Sequence, residues 1–513
     1  MRILLSLTSA LLLIFSLPRF DLEFLAWIAL VPLFLSIKDR NLKLSFALSF
    51  FTGITFFMGI FYWINVVQGF TPLDFLLLGI YLGSYFGLFG LLFNFLIKKN
   101  FPSFIVAPVL WVSFEYLRSH AGFFGLPWAL LGHSQYLNLP LIQVASLTGV
   151  YGVSFLIVMF NAALGEVISY RLSKRKKDIA EKKLAPFKPV LISLLLICLS
   201  VVYGISVTSE NPGADQVNVT VVQGNIPQDI KWDRAFKKMI LDKHVRLTES
   251  ASINDHASLI VWPESSVPGS FIQDLYILET VSSLVRKTKT SLLIGSSQRP
   301  KFGSEKQQGK YLFNSALMIK PNGVIAGYYN KIHLLPFAEY LPYRDSFPWP
   351  KRFVSRAGNF LSGKEYTLFN IEGIHFGTLI CWENIFPELF RKFVRGGANF
   401  MINISNEAWF GETAAPYHFL TMSVFRAVEN HVAVIRSANT GISCFIDPHG
   451  KIIGRVNNNN KDIFVEGYLT MAIPLSFKKT IYTLYGDVFV YINLIMTVFM
   501  VVLSAFKTGD SRI

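Results

Sequence analysis

Gly377-Thr-Leu-Ile-Cys-Trp-Glu383 sets a thiol at the end of an apolar run. The run 374–380 reads as a buried strand, and a residue just past such a strand sits at the sheet edge where α/β proteins place their sites. Two other stretches end in the same manner. Leu259-Ile-Val-Trp-Pro-Glu264 delivers a carboxylate behind Pro263, which stops the strand ladder. Tyr328-Tyr-Asn-Lys331 delivers an ammonium ahead of a largely apolar loop that reaches Glu339. Together they are the parts of a covalent acyl-transfer site. A thiolate attacks, a carboxylate takes its proton, and a cation favours the thiolate and the oxyanion of a tetrahedral intermediate. Each residue also has an ordinary alternative: a buried small hydrophobe for Cys381, a solvated strand end for Glu264, a surface amine for Lys331. A Cys381–Cys444 disulfide is a further alternative.

Working outward, strand-like runs lie at 217–222, 258–261, 291–294, 313–319, 375–380 and 400–404, and amphipathic helices at 234–250 and 415–430. Asp447-Pro-His-Gly450 reads as a turn between β runs at 441–446 and 452–456. The pattern predicts an α/β domain with packed sheets.

The rest of the chain is of another kind. The whole chain of 513 residues is 52% hydrophobic and only 16% charged, with a mean hydropathy of +0.42, against roughly 25% charged residues in a soluble domain. Apolar runs near 3–18, 21–37, 44–67, 74–97, 103–118, 143–169, 188–208 and 482–506 predict about eight membrane helices, a bilayer span needing ~20 residues. The expected organisation is 1–208 as transmembrane helices, 209–481 as the α/β domain, and 482–513 as a last helix with a short tail. Gly79, Gly83 and Gly87 recur every fourth residue and predict a close helix contact. Glu115 and Arg118 share a helical face and predict an intramembrane ion pair.

The net charge of +15 is explained by loop charges rather than by nucleic acid. With the amino terminus inside, the inner loops hold Lys38, Arg40, Lys43, Lys98, Lys99, Arg171 and the basic stretch 174–183, while the outer ones hold only Arg19 and Arg118. The positive-inside rule then puts 209–481 on the outer, periplasmic face of a bacterial inner membrane. Neither a His-Glu-x-x-His zinc motif nor a Gly-x-Ser-x-Gly elbow nor a phosphate-binding loop occurs, so no metal, nucleotide or other cofactor is expected.

At its three segments the chain resembles the nitrilase superfamily, whose αββα sandwich carries a Glu–Lys–Cys triad. With the apolar runs, the resemblance extends end to end to a membrane-embedded family of that superfamily, the bacterial apolipoprotein N-acyltransferases. Further matching stretches are Val222-Gln-Gly-Asn-Ile-Pro-Gln228 with Lys231-Trp232, Pro336-Phe-Ala-Glu-Tyr340, Asn403-Ile-Ser-Asn-Glu-Ala-Trp-Phe-Gly411, and Gly149-Val-Tyr-Gly-Val-Ser-Phe155. The resemblance implies Glu264 as base, Lys331 as stabiliser of the intermediates and Cys381 as acylated nucleophile. It implies Glu339 as support, with Trp232, Trp382 and Glu383 in substrate binding and site organisation. The implied reaction is ping-pong: a phospholipid, expected to be phosphatidylethanolamine, acylates Cys381, and the amine of a diacylglyceryl apolipoprotein takes the chain. A monomer is expected. The chain departs from the family pattern at Trp382, often Tyr, and at Glu407, where the family has Asp. A membrane-tethered amidase using water as acceptor shares the same triad and is the alternative.

Overall fold

The computed structural model of the chain describes residues 1–174, 187–209, 215–231, 233–267, 269–300 and 311–506. Two compact units emerge: Met1–Glu210 with Tyr485–Ile513, and Asn211–Leu484.

The first unit is helical. Leu42–Ile60, Pro72–Lys98, Val150–Leu172, Phe187–Thr208 and Val488–Phe506 are long and apolar enough to cross a membrane. The run at 103–118 forms the helix Ser103–Ser119, and the first run forms Arg2–Phe15. The run at 21–37 is broken into a 3-10 turn, Glu23–Trp27, and a short helix, Val31–Ile37. Main-chain groups freed by such a break need partners where no water reaches. Asn161 supplies two, accepting from the Leu30 amide at 2.9 Å and donating to the Ala26 carbonyl at 2.9 Å. Gln135 donates to the Glu23 carbonyl at 2.9 Å. The run at 143–169 is likewise interrupted at Gly149, whose φ of 66° ends one short helix before Val150 starts the long one.

The glycine stripe brings Leu42–Ile60 and Pro72–Lys98 together. A Cβ on Gly83 would stand 2.9 Å from the Ile54 amide nitrogen, and one on Gly90 3.0 Å from the Ser45 carbonyl. Backbone lies against backbone there, as small residues permit. Glu115 and Arg118 are both buried, and Arg118 belongs to the helix rather than to an outer loop. Their hydrogen bonds go chiefly to the segment that follows. Arg118 Nη1 donates to the carbonyls of Leu126 and Trp128 at 2.9 and 2.8 Å. Glu115 Oε1 accepts from the Leu131 amide at 2.7 Å and from Trp111 at 2.9 Å.

The second unit holds two six-stranded sheets. The strands in chain order are β1 Gln216–Gln223, β2 Leu259–Val261, β3 Ser291–Gln298, β4 Phe313–Ile319, β5 Ile325–Asn330, β6 Leu368–Ile371, β7 Ile374–Ile380, β8 Phe400–Ser405, β9 Ala433–Ala438, β10 Cys444–Ile446, β11 Ile452–Arg455 and β12 Gly467–Pro474. One sheet runs β12-β1-β2-β3-β4-β5 and the other β11-β10-β9-β8-β7-β6. In each, three parallel strands are followed by two antiparallel ones: β1-β2-β3 then β4-β5, and β7-β8-β9 then β10-β11. The two halves therefore repeat one pattern. Helices Lys237–Asn254 and Leu275–Thr288 cover the first sheet through a core that includes Leu241, Leu247, Trp262, Ile277, Val281 and Leu317. Pro387–Arg395 and Ala415–Asn430 belong to the second sheet's half. Ser437 Oγ on β9 donates to the carbonyls of Val222 and Val261, tying sheet to sheet. The result is an αββα sandwich.

Candidate active site

The three parallel strands of each sheet aim their carboxyl ends at one region. Glu264 stands three residues past β2, Cys381 directly past β7, Asn406 directly past β8 and Asn439 directly past β9. Lys331 follows β5. The structure brings Glu264, Lys331 and Cys381 together from positions far apart in sequence.

Lys331 Nζ lies 2.9 Å from Glu339 and 4.0 Å from Glu264 Oε1, and the lysine is 2% exposed. Asn314, at the start of β4, links the two acids by donating from Nδ2 to Glu264 Oε1 at 2.8 Å and to Glu339 Oε1 at 3.0 Å. The other oxygen of Glu264 accepts the Asn406 amide at 2.8 Å. Both carboxylates are thereby aimed by neutral amides and by one shared cation. The room for this is set by Gly295 on β3, where a Cβ would sit 2.6 Å from both Glu264 Cα and the Pro263 carbonyl.

Cys381 has a φ of 58°, in the left-handed region that a side chain disfavours. Ser265, next to Glu264, and Phe337, two residues before Glu339, share that conformation at 51° and 65°. Strain of this kind persists where the surroundings impose it and is common at functional sites. For Cys381 the surroundings are Glu383. This acid is fully buried and accepts four hydrogen bonds: from Ile380 N at 2.8 Å, Ile332 N at 2.7 Å, His333 N at 3.0 Å and Tyr329 Oη at 2.8 Å. One carboxyl group thus ties the residue before the thiol to the two residues after Lys331. Trp382 adds a second tie, its Nε1 donating to the His333 carbonyl at 2.6 Å while its ring packs edge-on against Phe386.

The electrostatics decide how such a site starts. Burial pushes the Cys381 thiol well above its ordinary range, the Glu264 carboxylate adds to this, and Lys331 opposes it. The resting thiol is therefore protonated, and it needs a base at the moment of attack. The Glu264 carboxylate is its hydrogen-bonding neighbour. Burial works against the charge on Lys331, yet Glu339, Cys381, Glu264 and Glu383 outweigh it and hold the amine above the usual lysine range. Lys331 is a standing positive charge. Burial raises Glu383 to about 7 against the pull of Ile380 N, Lys331, His333 N and Tyr329 Oη.

Trp232 lies outside the described residues. Asn314, Asn406 and Lys231 are site residues that no local pattern in the sequence marks with a role. Asn314 opens an ordinary-looking strand, and nothing in its neighbours marks it. Lys231 and Asn406 lay inside the matching stretches but were not singled out. The departure at Glu407 is also explained. Its carboxylate pairs with Arg436, both fully buried, and Gly441 leaves the space, since a Cβ there would fall on Glu407 Oε2. Cys381 and Cys444 are both free thiols.

Residues 218–476 match the family model described as carbon-nitrogen hydrolase, and residues 9–163 that described as apolipoprotein N-acyltransferase N-terminal domain. Similar solved structures include an amidase of the nitrilase superfamily from Nesterenkonia, at 18% identity over 51% of this chain and 92% of that one, with a TM-score of 0.39. A carbon-nitrogen hydrolase from Helicobacter pylori matches at 17% identity over 50% and 89%, also with a TM-score of 0.39. The second unit is a nitrilase-like α/β sandwich of the carbon-nitrogen hydrolase class.

Among relatives, the apolipoprotein N-acyltransferase of Geobacter metallireducens is 37% identical over 95% of this chain and 92% of its own length. That of Chlorobaculum tepidum is 28% identical over 92% and 90%. The chain belongs to the apolipoprotein N-acyltransferase family and is an acyltransferase. Its apolar helices and this membership make it a bacterial membrane protein.

Proposed function

We propose that the chain moves a fatty acyl group from a phospholipid to the N-terminal amine of a diacylglyceryl apolipoprotein, through a thioester on Cys381. The observation that carries the assignment is the meeting of a protonated buried thiol, a carboxylate positioned by Asn314 and Asn406, and a lysine kept charged by Glu339. Glu264 takes the thiol proton as sulfur attacks the ester carbonyl. Lys331 stabilises the oxyanion. The C–O bond breaks, Glu264 returns the proton to the leaving oxygen, and a lysophospholipid departs. The amine then attacks the thioester, Glu264 takes its proton, the C–S bond breaks and the thiol is restored. One amide synthesis becomes two easier steps. Glu339, Glu383 and Trp382 act as positioning residues, and Trp232 is assigned to substrate binding. Phosphatidylethanolamine is the proposed donor, a monomer the proposed state, and the periplasmic face of the inner membrane the proposed place of the catalytic unit, 209–481, on the strength of the loop charges.

Residues 341–360 are proposed as a lipid-facing lid. The stem of this loop is fastened beside the site, with Gly358 N on the Ala338 carbonyl and Phe360 N on the Glu339 carbonyl. Its tip exposes Tyr343 and Phe347, with Trp349 packed among Phe337, Phe347 and Phe353. Arg344 bonds to Asn359 and Ala357 within the loop, and Lys351, Arg352 and Arg356 are the cations proposed to meet lipid phosphates.

The test is intact mass spectrometry of the full-length protein given phosphatidylethanolamine vesicles. An acyl adduct on Cys381 is expected, absent in Cys381→Ser and discharged by a diacylglyceryl lipopeptide with a free amine. Discharge by water as fast as by the lipopeptide would favour the amidase alternative. A wild-type protein that takes no acyl group from phospholipid would overturn the proposal.

A further inference from the structure

A second lysine is buried in the same site. Lys231, in the loop after β1, is 2% exposed, and its Nζ donates to the main-chain carbonyl of Glu264 at 3.1 Å. An ammonium has three donors, and the structure gives this one a single acceptor among the described residues. Buried lysines are rare unless paired, and Lys231 has no carboxylate at ion-pair distance among the described residues, in contrast with Lys331 between Glu339 and Glu264. Its position in the site is nevertheless close, since Nζ bonds the main chain of the proposed base itself.

We propose that Lys231 is a positioning residue for the acylation half-reaction: it anchors the main chain of Glu264, so holding the base in place, and its own charge governs how readily the Cys381 thiolate forms. The inference rests on the reading of Glu264 and Cys381 given above.

The two lysines differ in how they carry charge. Lys331 is surrounded by acids and stays protonated. Burial lowers Lys231 to about 7, with Glu264 and then Cys381 pulling the other way. Lys231 in turn acts on His244, which burial holds down to about 4, so that ring is neutral at pH 7 and adds no charge beside it. Lys231 is thus charged below neutrality and neutral above it. A charged Lys231 favours the thiolate, and a neutral one does not. Two opposing trends follow as pH rises through 7: thiol ionisation becomes easier, while the help from Lys231 is withdrawn. The wild-type profile should therefore flatten near neutrality.

The experiment is the rate of Cys381 alkylation by iodoacetamide in the full-length protein in detergent, mapped by peptide mass spectrometry from about pH 5 to about pH 9. The wild type should show an inflection near pH 7. Lys231→Met should lose it and react about tenfold more slowly at the acidic end, converging with wild type at the alkaline end. Lys231→Arg, whose charge does not titrate, should keep the acidic-end reactivity and also lose the inflection, and it serves if the methionine variant fails to fold. A uniform slowing with a profile of wild-type shape in either variant would mean a merely structural lysine and would overturn the proposal. Failure of the triad reading is seen separately, as phospholipid acylation that persists in Cys381→Ser.

Discussion

Glu383→Gln isolates what one buried carboxyl group does for the site. The acid accepts three donors on Oε1, from Ile332 N, His333 N and Tyr329 Oη, and one on Oε2, from Ile380 N. Glutamine fits the same space but has one acceptor oxygen. Its cheaper orientation keeps the three bonds on Oε1 and turns the amide NH2 toward Ile380 N, so that two donors face each other where a 2.8 Å bond stood. A hydrogen bond to a charged acceptor contributes about 1.5–3 kcal/mol, and a buried donor left unmade costs a similar amount. The loss falls on Ile380, the residue that precedes the left-handed Cys381. If the thiol is displaced, the acylation rate drops by about ten- to a hundredfold, at roughly 1.4 kcal/mol per decade. Glu383→Ala leaves all four donors without their acceptor, on the order of 4–12 kcal/mol, which rivals the whole stability of an ordinary domain. The assay is single-turnover acyl-enzyme formation from phospholipid vesicles, with thermal unfolding measured on the same samples. Glutamine should be slow but folded, and alanine unstable. A glutamine variant within twofold of wild type in acylation would refute the idea that Glu383 places the nucleophile.

Other outcomes follow from the same contacts. Gly295→Ala should slow acylation and lower stability by about 1–3 kcal/mol, because its Cβ meets main chain at Glu264, Pro263 and Ser265 rather than a side chain that can move aside; thermal unfolding and single-turnover kinetics check it. His244 is buried and its pKa falls from 6.5 to about 4. A depressed basic group contributes stability that is present above pH 6.5 and lost as pH falls through 4, here about 3 kcal/mol, so His244→Gln should flatten the acid limb of denaturant-unfolding stability against pH. Arg118→Met should release the carbonyls of Leu126 and Trp128, and hydrogen exchange at the Leu126 amide should speed up by about tenfold, whereas an unchanged rate would show that this segment holds itself.

Much of the fold was legible because two patterns in the chain are local. Twenty-residue apolar runs announce helices by length alone, and short apolar runs ending on Glu264 or Cys381 announce strands by where they stop. The elements that escaped notice carry mixed signals. β9 holds Arg436 in its middle, a residue that reads as exposed until Glu407 is seen beside it. β5 alternates half-buried with exposed positions, β12 is half-buried along its first five residues, and β6 is only four residues long. The breaks at residues 28–30 and Gly149 lie hidden inside apolar runs, and the groups that compensate the first, Asn161 and Gln135, are more than a hundred residues away from it.

The sequence by itself determined which side chains are reactive and that a helical, apolar part accompanies an α/β part, since composition, periodicity and motif are properties of neighbouring residues. Only the tertiary structure decided what those side chains do to one another. A thiol's proton, a lysine's charge and a carboxylate's aim depend on burial and on partners within a few ångströms, and those partners arrive from different strands. Lys331 and Lys231 are the same residue type. One sits between two acids and holds its charge, while the other meets a carbonyl and titrates near neutrality. No linear pattern distinguishes them, because the difference lies in what folding brings to each.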